Sequence, residues 1–432
     1  MCLKIGGYVR QQIGWGVNGS LTNGANISNT DTRATNNFAM RARGYITADA
    51  RNQTEYGTVR SYIAVGLSTN AATALPAAPN NDVGTSTFSA NRAFIQFAGF
   101  TFGITQSFYD LYSGPATSFF GGNVNTSSDT GDAGKQVTSY TAQFGGGFSA
   151  SIGIEAQRSA GVVNTSTATY TTVGLPTNSA RGVQYPDVVA NLRLDQAWGS
   201  AQVMGAIHDA TGQYNGATTA TGQQGTATGY ALGVGLKLLA PMIGAGDYFQ
   251  GQFNYTQGAY GYTNAATAGL YSKYNGGAGG SYGFGIASDG VYSATTGVQL
   301  TTTWNVNAAY EHFWNKSWQT SVYGGYAKTS YNDTANALLC AAAVNTAGGI
   351  VTGGATSCNM NFAVWNIGTR TQWNIDSQTA MGVDIVYQRL NSASVGGPTV
   401  VAGSGTQPAA ARSVSDQGSW MGQFRIHRNF YP

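Results

Sequence analysis

Charged residues are scarce in this chain: aspartate, glutamate, lysine and arginine make up 9% of its 432 residues, against about a quarter in ordinary soluble domains. Large soluble β-proteins normally carry far more surface charge. The composition therefore argues against a soluble β-sandwich or repeat protein, which is the alternative that has to be weighed. The formal net charge is only +3 and no basic tract occurs, so we expect no nucleic-acid partner.

Long apolar runs are absent as well. No segment approaches the ~20 consecutive apolar residues that a membrane-spanning helix requires, so the sequence excludes such a helix. No signal peptide precedes the first apolar segment, because Leu3, Lys4 and Ile5 already have the pattern of a strand. For an exported protein we expect this to be a mature or re-engineered form.

The sequence also lacks the motifs of catalysis and cofactor binding. His208, His312 and His427 are far apart and have no metal-ligand spacing. No phosphate-binding loop, dinucleotide fingerprint or Gly-x-Ser-x-Gly elbow occurs. We therefore expect no metal, no cofactor and no enzymatic activity. The one alternative is a hydrolytic barrel, for which His312 beside Glu311 is the nearest candidate pair.

What the chain does have is a repeated alternation of apolar and polar residues. Every other residue of segment 363–373 is apolar or small, and segment 420–430 repeats the pattern. Strand side chains point alternately to opposite faces, so each segment has one apolar and one polar face. An outer-membrane barrel turns the apolar face to lipid and the polar face to water. Low charge, 61 glycines and 25 tyrosines fit this arrangement.

The alternation predicts sixteen strands. Short and long connections alternate strictly between them, as expected for periplasmic turns and external loops. We therefore predict an all-β, 16-stranded antiparallel transmembrane barrel, a single unit over 1–432, crossing the cell outer membrane many times. The predicted strands are 3–16, 37–51, 57–68, 89–98, 101–109, 135–144, 147–157, 187–197, 200–209, 228–239, 247–258, 297–313, 317–329, 360–374, 378–391 and 418–431.

Strand parity assigns a group of arginines to the lumen. The third long loop, about 110–134, is expected to fold inward as the constriction loop and to oppose them with acids, so that a field crosses a narrow pore. The predicted basic face is Arg10, Arg41, Arg43, Arg60 and Arg425 near mid-depth with Arg92 somewhat higher, and the predicted acidic face is Asp110, Asp129 and Asp132. Because acids are few, we expect weak anion preference or near neutrality.

The cysteines include one candidate disulfide pair. Cys340 and Cys358 lie 18 positions apart in one loop, so a disulfide is plausible in an oxidising compartment, and two free thiols are the alternative. Cys2 has no partner.

Gly229, Gly233 and Gly235 interrupt one predicted strand, which suits a curved wall or close packing between protomers.

Several segments carry a family likeness. The opening 2–10, the run 93–103 continued at 106–108, and the segments 335–340, 367–371 and 424–431 resemble alphaproteobacterial general porins. The resemblance spans essentially the whole chain. It implies a homotrimer in outer-membrane lipid, passive diffusion of small hydrophilic solutes and ions, and a third loop that forms the eyelet.

Two other functions stay open. A substrate-selective channel needs an aromatic ladder in the lumen, which Tyr8, Tyr45, Tyr62 and Phe94 could partly supply. A non-channel surface barrel, acting as adhesin or receptor, could bind partners through loop 259–296.

In a trimer, we expect small lipid-facing residues of the early and last strands to contact the neighbouring protomer, with loop 69–88 latching onto that neighbour.

Overall fold

The computed structural model describes residues 2–17, 37–71, 86–121, 126–166, 179–215, 225–264, 269–275, 280–344, 357–396, 399–401 and 410–430. Sixteen antiparallel strands close into one barrel, and the last strand pairs with the first. They are β1 (Cys2–Trp15), β2 (Phe38–Thr54), β3 (Gly57–Ala71), β4 (Ser86–Phe97), β5 (Phe100–Thr105), β6 (Lys135–Gly145), β7 (Phe148–Glu155), β8 (Asp187–Gln196), β9 (Gly199–Asp209), β10 (Thr228–Leu239), β11 (Tyr248–Gln257), β12 (Thr302–Phe313), β13 (Trp318–Ser330), β14 (Phe362–Asn374), β15 (Thr379–Asn391) and β16 (Gln417–Phe430).

The predicted barrel is confirmed, and most strand ends agree within a few residues. Two strands differ. β5 ends at Thr105, four positions early, because the chain there turns into the barrel. The predicted strand 297–313 is split, since Thr296–Leu300 pairs with Gly290–Ser293 outside the barrel and β12 begins only at Thr302.

Side chains alternate between the two faces of the wall as the sequence pattern predicts. On β10, Leu232 and Val234 are about half exposed on the outer face, whereas the alternating residues Ala231 and Gly233 are buried inside. A soluble sheet would hide these aliphatic groups in a core. Here they form the apolar outer surface of a closed barrel, which is the surface that lipid covers.

Tight turns join the strands at one end of the barrel. Ala98-Gly99 and Gly146-Gly147 each place two successive residues at positive φ, the conformation of the two-residue turns that best fit the twist of antiparallel strands. All short connections lie at this end, which we call the periplasmic end. They are 55–56, 98–99, 146–147, 197–198, 240–247, 314–317 and 375–378.

The long loops build structure of their own. Helix α1 (Gly114–Thr117) belongs to the third loop, and helix α2 (Asp333–Val344) lies at the external end. There α2 helps to enclose a buried cluster that includes Tyr271 and Leu339, and a disulfide joins Cys340 to Cys358 beside it. The short strands of the loops are Val162–Asn164, Gly269–Asn275, Ser281–Ala287, Gly290–Ser293, Thr296–Leu300, Cys358–Asn359, Ser394–Val395, Thr399–Val401 and Ala410–Val414.

The described part of loop 259–296 packs into this external cluster, where Tyr271, Phe284 and Ile286 are buried. Its aromatic side chains are therefore occupied within the fold. No helix among the described residues is long and apolar enough to cross a membrane.

Channel constriction as the candidate functional site

The third loop, residues 106–134 between β5 and β6, turns into the barrel and is held by polar side chains of the wall. Glu155 accepts a hydrogen bond from the amide of Phe108 at 2.8 Å. Gln252 Oε1 accepts from the amides of Leu111 at 3.0 Å and Tyr112 at 2.9 Å. Backbone amides leaving the sheet need partners, and inward polar groups of the strands supply them.

The tip of the third loop is held in the same way. Asp384 on β15 accepts hydrogen bonds from the Phe119 amide at 2.6 Å, the Ser118 hydroxyl at 2.9 Å and the Tyr323 hydroxyl at 2.5 Å. Arg370 donates to the carbonyl of Ala116 at 2.9 Å. These anchors lie on β15 and β14, six and seven strands away around the ring of sixteen from β5, where the loop begins, so the loop spans the lumen.

Small residues make room for the loop. The inward row of β10 consists of Gly229, Ala231, Gly233 and Gly235, and a Cβ atom at Gly235 would lie 2.6 Å from Leu111 Cδ2. These glycines face the lumen, so the interpretation that they serve packing between protomers is wrong. At Gly233 and Gly235 the missing side chain allows close approach of the third loop, through Tyr109 and Leu111, to the wall.

Another part of the lumen carries the arginines. On β1, Arg10 is paired in register with Arg43 of β2 and with His427 of β16. Two residues further along, Gln12 is paired with Arg41 and with Arg425. These side chains occupy two successive inward levels of three neighbouring strands, which we call the arginine wall (β16, β1 and β2).

The third loop presents one carboxylate to this wall. Asp132 lies 3.5 Å from Arg43 Nη1 and 4.0 Å from Arg10 Nη1, and about half of its side chain (49%) is exposed. Arg92 fixes the backbone at this point, because its guanidinium donates to the carbonyls of Asp132 at 2.6 Å and Gly131 at 3.0 Å. The expected juxtaposition of Arg10, Arg43 and Asp132 is therefore present.

Two cavities meet at the arginine wall. The external one, of about 490 Å³, is lined by Arg41, Arg43 and the inner surface of the third loop. The periplasmic one, of about 650 Å³, reaches the turns at 314–317 and 375–378. Both are lined by the same four residues, Arg10, Pro115, Phe119 and Arg425. An aqueous path between the two cavities therefore passes this shared ring.

Arg60 lies outside this constriction, contrary to expectation. It is paired in register with Arg51, close to the periplasmic turn, and eight positions along β2 separate Arg51 from Arg43, about 26 Å at the usual rise of a strand. Two hydrogen bonds of 3.0 Å join Arg60 to Asp49. Parity predicted its face correctly but not its depth.

Asp110 and Asp129 also depart from expectation, because neither presents a carboxylate to water. Asp110 is buried in an ion pair with Arg158 at 3.2 Å and accepts from the Thr130 amide at 2.9 Å. Asp129 accepts from the amides of Gly114 at 2.7 Å and Gly131 at 2.8 Å. Both acids shape the loop, so Asp132 alone among the three predicted residues faces the arginines.

The aromatic side chains considered for a ladder form two separate pairs. Tyr8 stacks on Tyr45 with ring centroids 5.2 Å apart, and Tyr62 stacks on Phe94 at 5.3 Å. Tyr45 is buried (2% exposed), with its hydroxyl bonded to Ser89 at 2.6 Å. The rings of the described residues therefore do not give a continuous track that a sugar could follow.

The candidate hydrolytic pair is split by the wall. His312 Nδ1 lies 2.7 Å from Asp247 in a periplasmic turn, whereas Glu311 points inward and pairs with Arg370 at 2.5 Å. The described residues contain no group of three or more histidine, cysteine or acidic residues able to hold a metal ion.

Comparison with known proteins agrees with this geometry. The family model described as a porin subfamily matches residues 1–423. The chain belongs to that family. Among solved structures, this porin resembles the outer membrane channel DcaP of Acinetobacter baumannii (TM-score 0.59, 11% identity, 99% of this chain and 97% of that one). It also resembles OprB of Pseudomonas putida (TM-score 0.50, 8% identity, 99% and 94%). No curated protein sequence matches.

At these identities the structural likeness shows the fold alone, and the family carries the function. Porins are closed barrels that enclose a water-filled channel across the outer membrane. The protein is accordingly an outer-membrane diffusion porin, a non-enzymatic channel for small hydrophilic solutes and ions.

Proposed function

We propose that this porin conducts anions in preference to cations, and that selection takes place at the arginine wall, where the two cavities meet. The observation that carries the proposal is the meeting of an external and a periplasmic cavity at Arg10 and Arg425. A solute that crosses has to pass these guanidiniums. In this proposal the third loop, predicted from the sequence as 110–134, sets the width of the channel beside these guanidiniums. The proposal also treats the whole chain, 1–432, as a single unit.

The charge balance at the arginine wall supports an anion preference. Arg10, Arg41, Arg43 and Arg425 line the external cavity, and Asp132 is the one acid of its lining whose carboxylate is substantially exposed. A cleft of one sign between low-dielectric walls focuses the field and raises the local concentration of counter-ions. The preference is modest, because Asp132 offsets part of the positive charge.

The zero-current potential in a planar bilayer under a KCl gradient tests this proposal. Wild-type channels should give the sign of anion preference. Arg41→Gln/Arg43→Gln should move the potential toward cation preference, because two of the four guanidiniums lose their charge. Asp132→Asn should move it the other way. An unchanged potential in both variants would contradict the assignment of selection to the arginine wall.

We also propose a homotrimer of the alphaproteobacterial general porin type. Support comes from the outer face of β2, where four of five successive outward residues are small, whereas β10 carries large aliphatic side chains there. Small side chains permit close contact between barrels, and large aliphatic ones suit lipid. The small residues of β2 are Ala42, Gly44, Ala48 and Ala50, and the aliphatic residues of β10 are Leu232, Val234 and Leu236.

Native gels of detergent-extracted protein test the trimer. Ala48→Trp places a large ring where close contact between barrels is proposed, and it should produce monomers. Val234→Trp is the matched control, because the same ring on the outer face of β10 would lie against lipid, and it should stay trimeric. Trimers in both variants would contradict the proposed face. Loop 69–88, the proposed latch, lies mostly outside the described residues.

A further inference from the structure

The arginine wall has more hydrogen-bond donors than the described residues have acceptors for. Arg41 donates Nε to Gln12 at 2.9 Å, and Arg10 donates Nε to His427 at 3.1 Å. Arg425 donates to the carbonyl of Phe119. Each guanidinium carries five N–H groups, so these bonds use a small part of the supply.

Three buried donors at the same place have no acceptor among the described residues. They are Nε of Arg43, Nε of Arg425 and the amide nitrogen of Gln12. Gln12 is fully buried (0% exposed) and lies in register between Arg41 and Arg425. Unsatisfied buried donors are costly and uncommon. These three nitrogens are themselves enclosed, but the four arginines of this group line the external cavity, and this concentration of donors indicates a place prepared for an acceptor.

Asp132 shows which kind of acceptor fits. Its carboxylate enters the group from the third loop and lies 3.5 Å from Arg43 and 4.0 Å from Arg10, longer than the 2.7–2.9 Å of well-formed charged hydrogen bonds. The position of the carboxylate is set by the backbone of the third loop, because Arg92 donates hydrogen bonds to the carbonyls of Gly131 and Asp132. The carboxylate thus sits at the edge of the arginine group and leaves its centre to another anion.

We propose that the external cavity contains a binding site for small phosphate monoester dianions, and that Asp132 competes for it as an internal carboxylate. Guanidinium groups match phosphate oxygens in a bidentate geometry. A dianion can accept from guanidiniums at both inward levels of the wall, which a monovalent ion does less effectively. The inference rests on the proposed function, because the ligand reaches the site through the open channel.

Titration of bilayer conductance with glycerol phosphate tests the site. Full-length protein is measured in about 0.1 M KCl, where screening extends over about 10 Å, with methyl sulfate as a monovalent oxyanion control. Wild-type chloride current should fall saturably with glycerol phosphate and only weakly with methyl sulfate. In Arg41→Gln/Arg43→Gln, the half-blocking concentration should rise about tenfold or more, as expected when charge-assisted bonds are lost.

Two further variants distinguish binding from a general loss of charge. Arg60→Gln/Lys316→Gln removes an equal number of positive charges, but near the periplasmic mouth, and should leave the half-blocking concentration unchanged. Asp132→Asn should lower it, because the competing carboxylate is gone. This second variant keeps the test valid even if the double arginine variant folds poorly.

The outcomes separate this inference from the proposed function. Equal block by glycerol phosphate and methyl sulfate, or the same half-blocking concentration in wild type and Asp132→Asn, would overturn the binding site while anion preference stands. Folded protein that forms no channels in the bilayer would overturn both.

Discussion

The two sides of the lumen use polar residues in opposite ways. On the arginine wall, guanidiniums at two successive levels face a water-filled cavity. On the strands β7 to β15, which we call the loop wall, inward polar groups such as Glu155, Gln252 and Asp384 bind the third loop. Both walls have polar inner faces, but near the constriction the described charges of the loop wall are bound to the third loop or to each other, whereas the arginine wall presents its charge to a passing solute.

This difference explains how a chain with nearly balanced charge can have a cationic constriction. The formal excess over the whole chain is only +3. Glu311 and Asp384, however, are buried in contacts with Arg370 and with the third loop. A buried carboxylate held in such contacts contributes little field to the lumen compared with an exposed one. The position of an acid relative to the loop therefore matters more than the number of acids.

The largest effect is expected where the loop wall loses an anchor. Asp384→Ala removes the acceptor of the Phe119 amide, the Ser118 hydroxyl and the Tyr323 hydroxyl, at a cost of about 1–3 kcal/mol for each buried donor left unpaired. The loop tip should leave its position and the channel should widen. Single-channel conductance should rise, with more frequent fluctuations.

Asp195→Asn is the matched control for this variant. Asp195 also points inward, but it lies near the periplasmic turn and pairs with exposed Arg193 at 2.8 Å. Channels of the Asp195→Asn variant should have the single-channel conductance of wild type. If Asp384→Ala folds and conducts like Asp195→Asn, the third loop does not depend on this anchor and the description of the loop wall fails.

A somewhat smaller effect is expected where the loop wall loses space. Gly235→Val places a side chain where a Cβ atom already lies 2.6 Å from Leu111 Cδ2 and 2.9 Å from its Cβ. Overpacking of this kind costs about 1–3 kcal/mol. The loop should move toward the arginine wall, which narrows the channel and lowers its conductance.

Gly205→Ala provides the comparison, since it lies on the neighbouring strand and a Cβ atom there meets its nearest neighbours only at 3.7 Å. Conductance and the temperature at which the barrel unfolds on a denaturing gel should both stay at wild-type values. Equal conductance of Gly235→Val and wild type would show that the third loop does not rest on this part of the wall.

The barrel and the faces of its strands were predictable because both follow from local pattern. Alternation and loop length predicted sixteen strands, and parity placed Arg10, Arg41, Arg43 and Arg425 on the inner face. The roles of the acids were not predictable in this way. Asp384 has the parity of a lumen residue, but its partner Phe119 is 265 positions away. Parity gives a face, whereas partners and depth depend on the path of the loop and on register.

The smallest effect should come from Arg60, the arginine that parity alone grouped with the constriction. It is bonded to Asp49 at 3.0 Å near the periplasmic turn, so its charge is partly compensated by an acid that also pairs with Arg51. The register places it about 26 Å from the level of Arg43. That distance exceeds two screening lengths at about 0.1 M salt. Arg60→Gln/Asp49→Asn, which keeps the net charge, should leave the zero-current potential unchanged.

The two single variants test each charge of this pair separately. Arg60→Gln should shift the zero-current potential slightly toward cations and Asp49→Asn slightly toward anions, each by much less than Arg43→Gln. The thermal stability of the barrel should change little, because a partly exposed ion pair contributes about 0–1 kcal/mol. A shift for Arg60→Gln as large as that for Arg43→Gln would mean that selection extends along the whole lumen. Ion selectivity would then depend on all charges of the inner face, and the arginine wall would not differ from the loop wall in this respect.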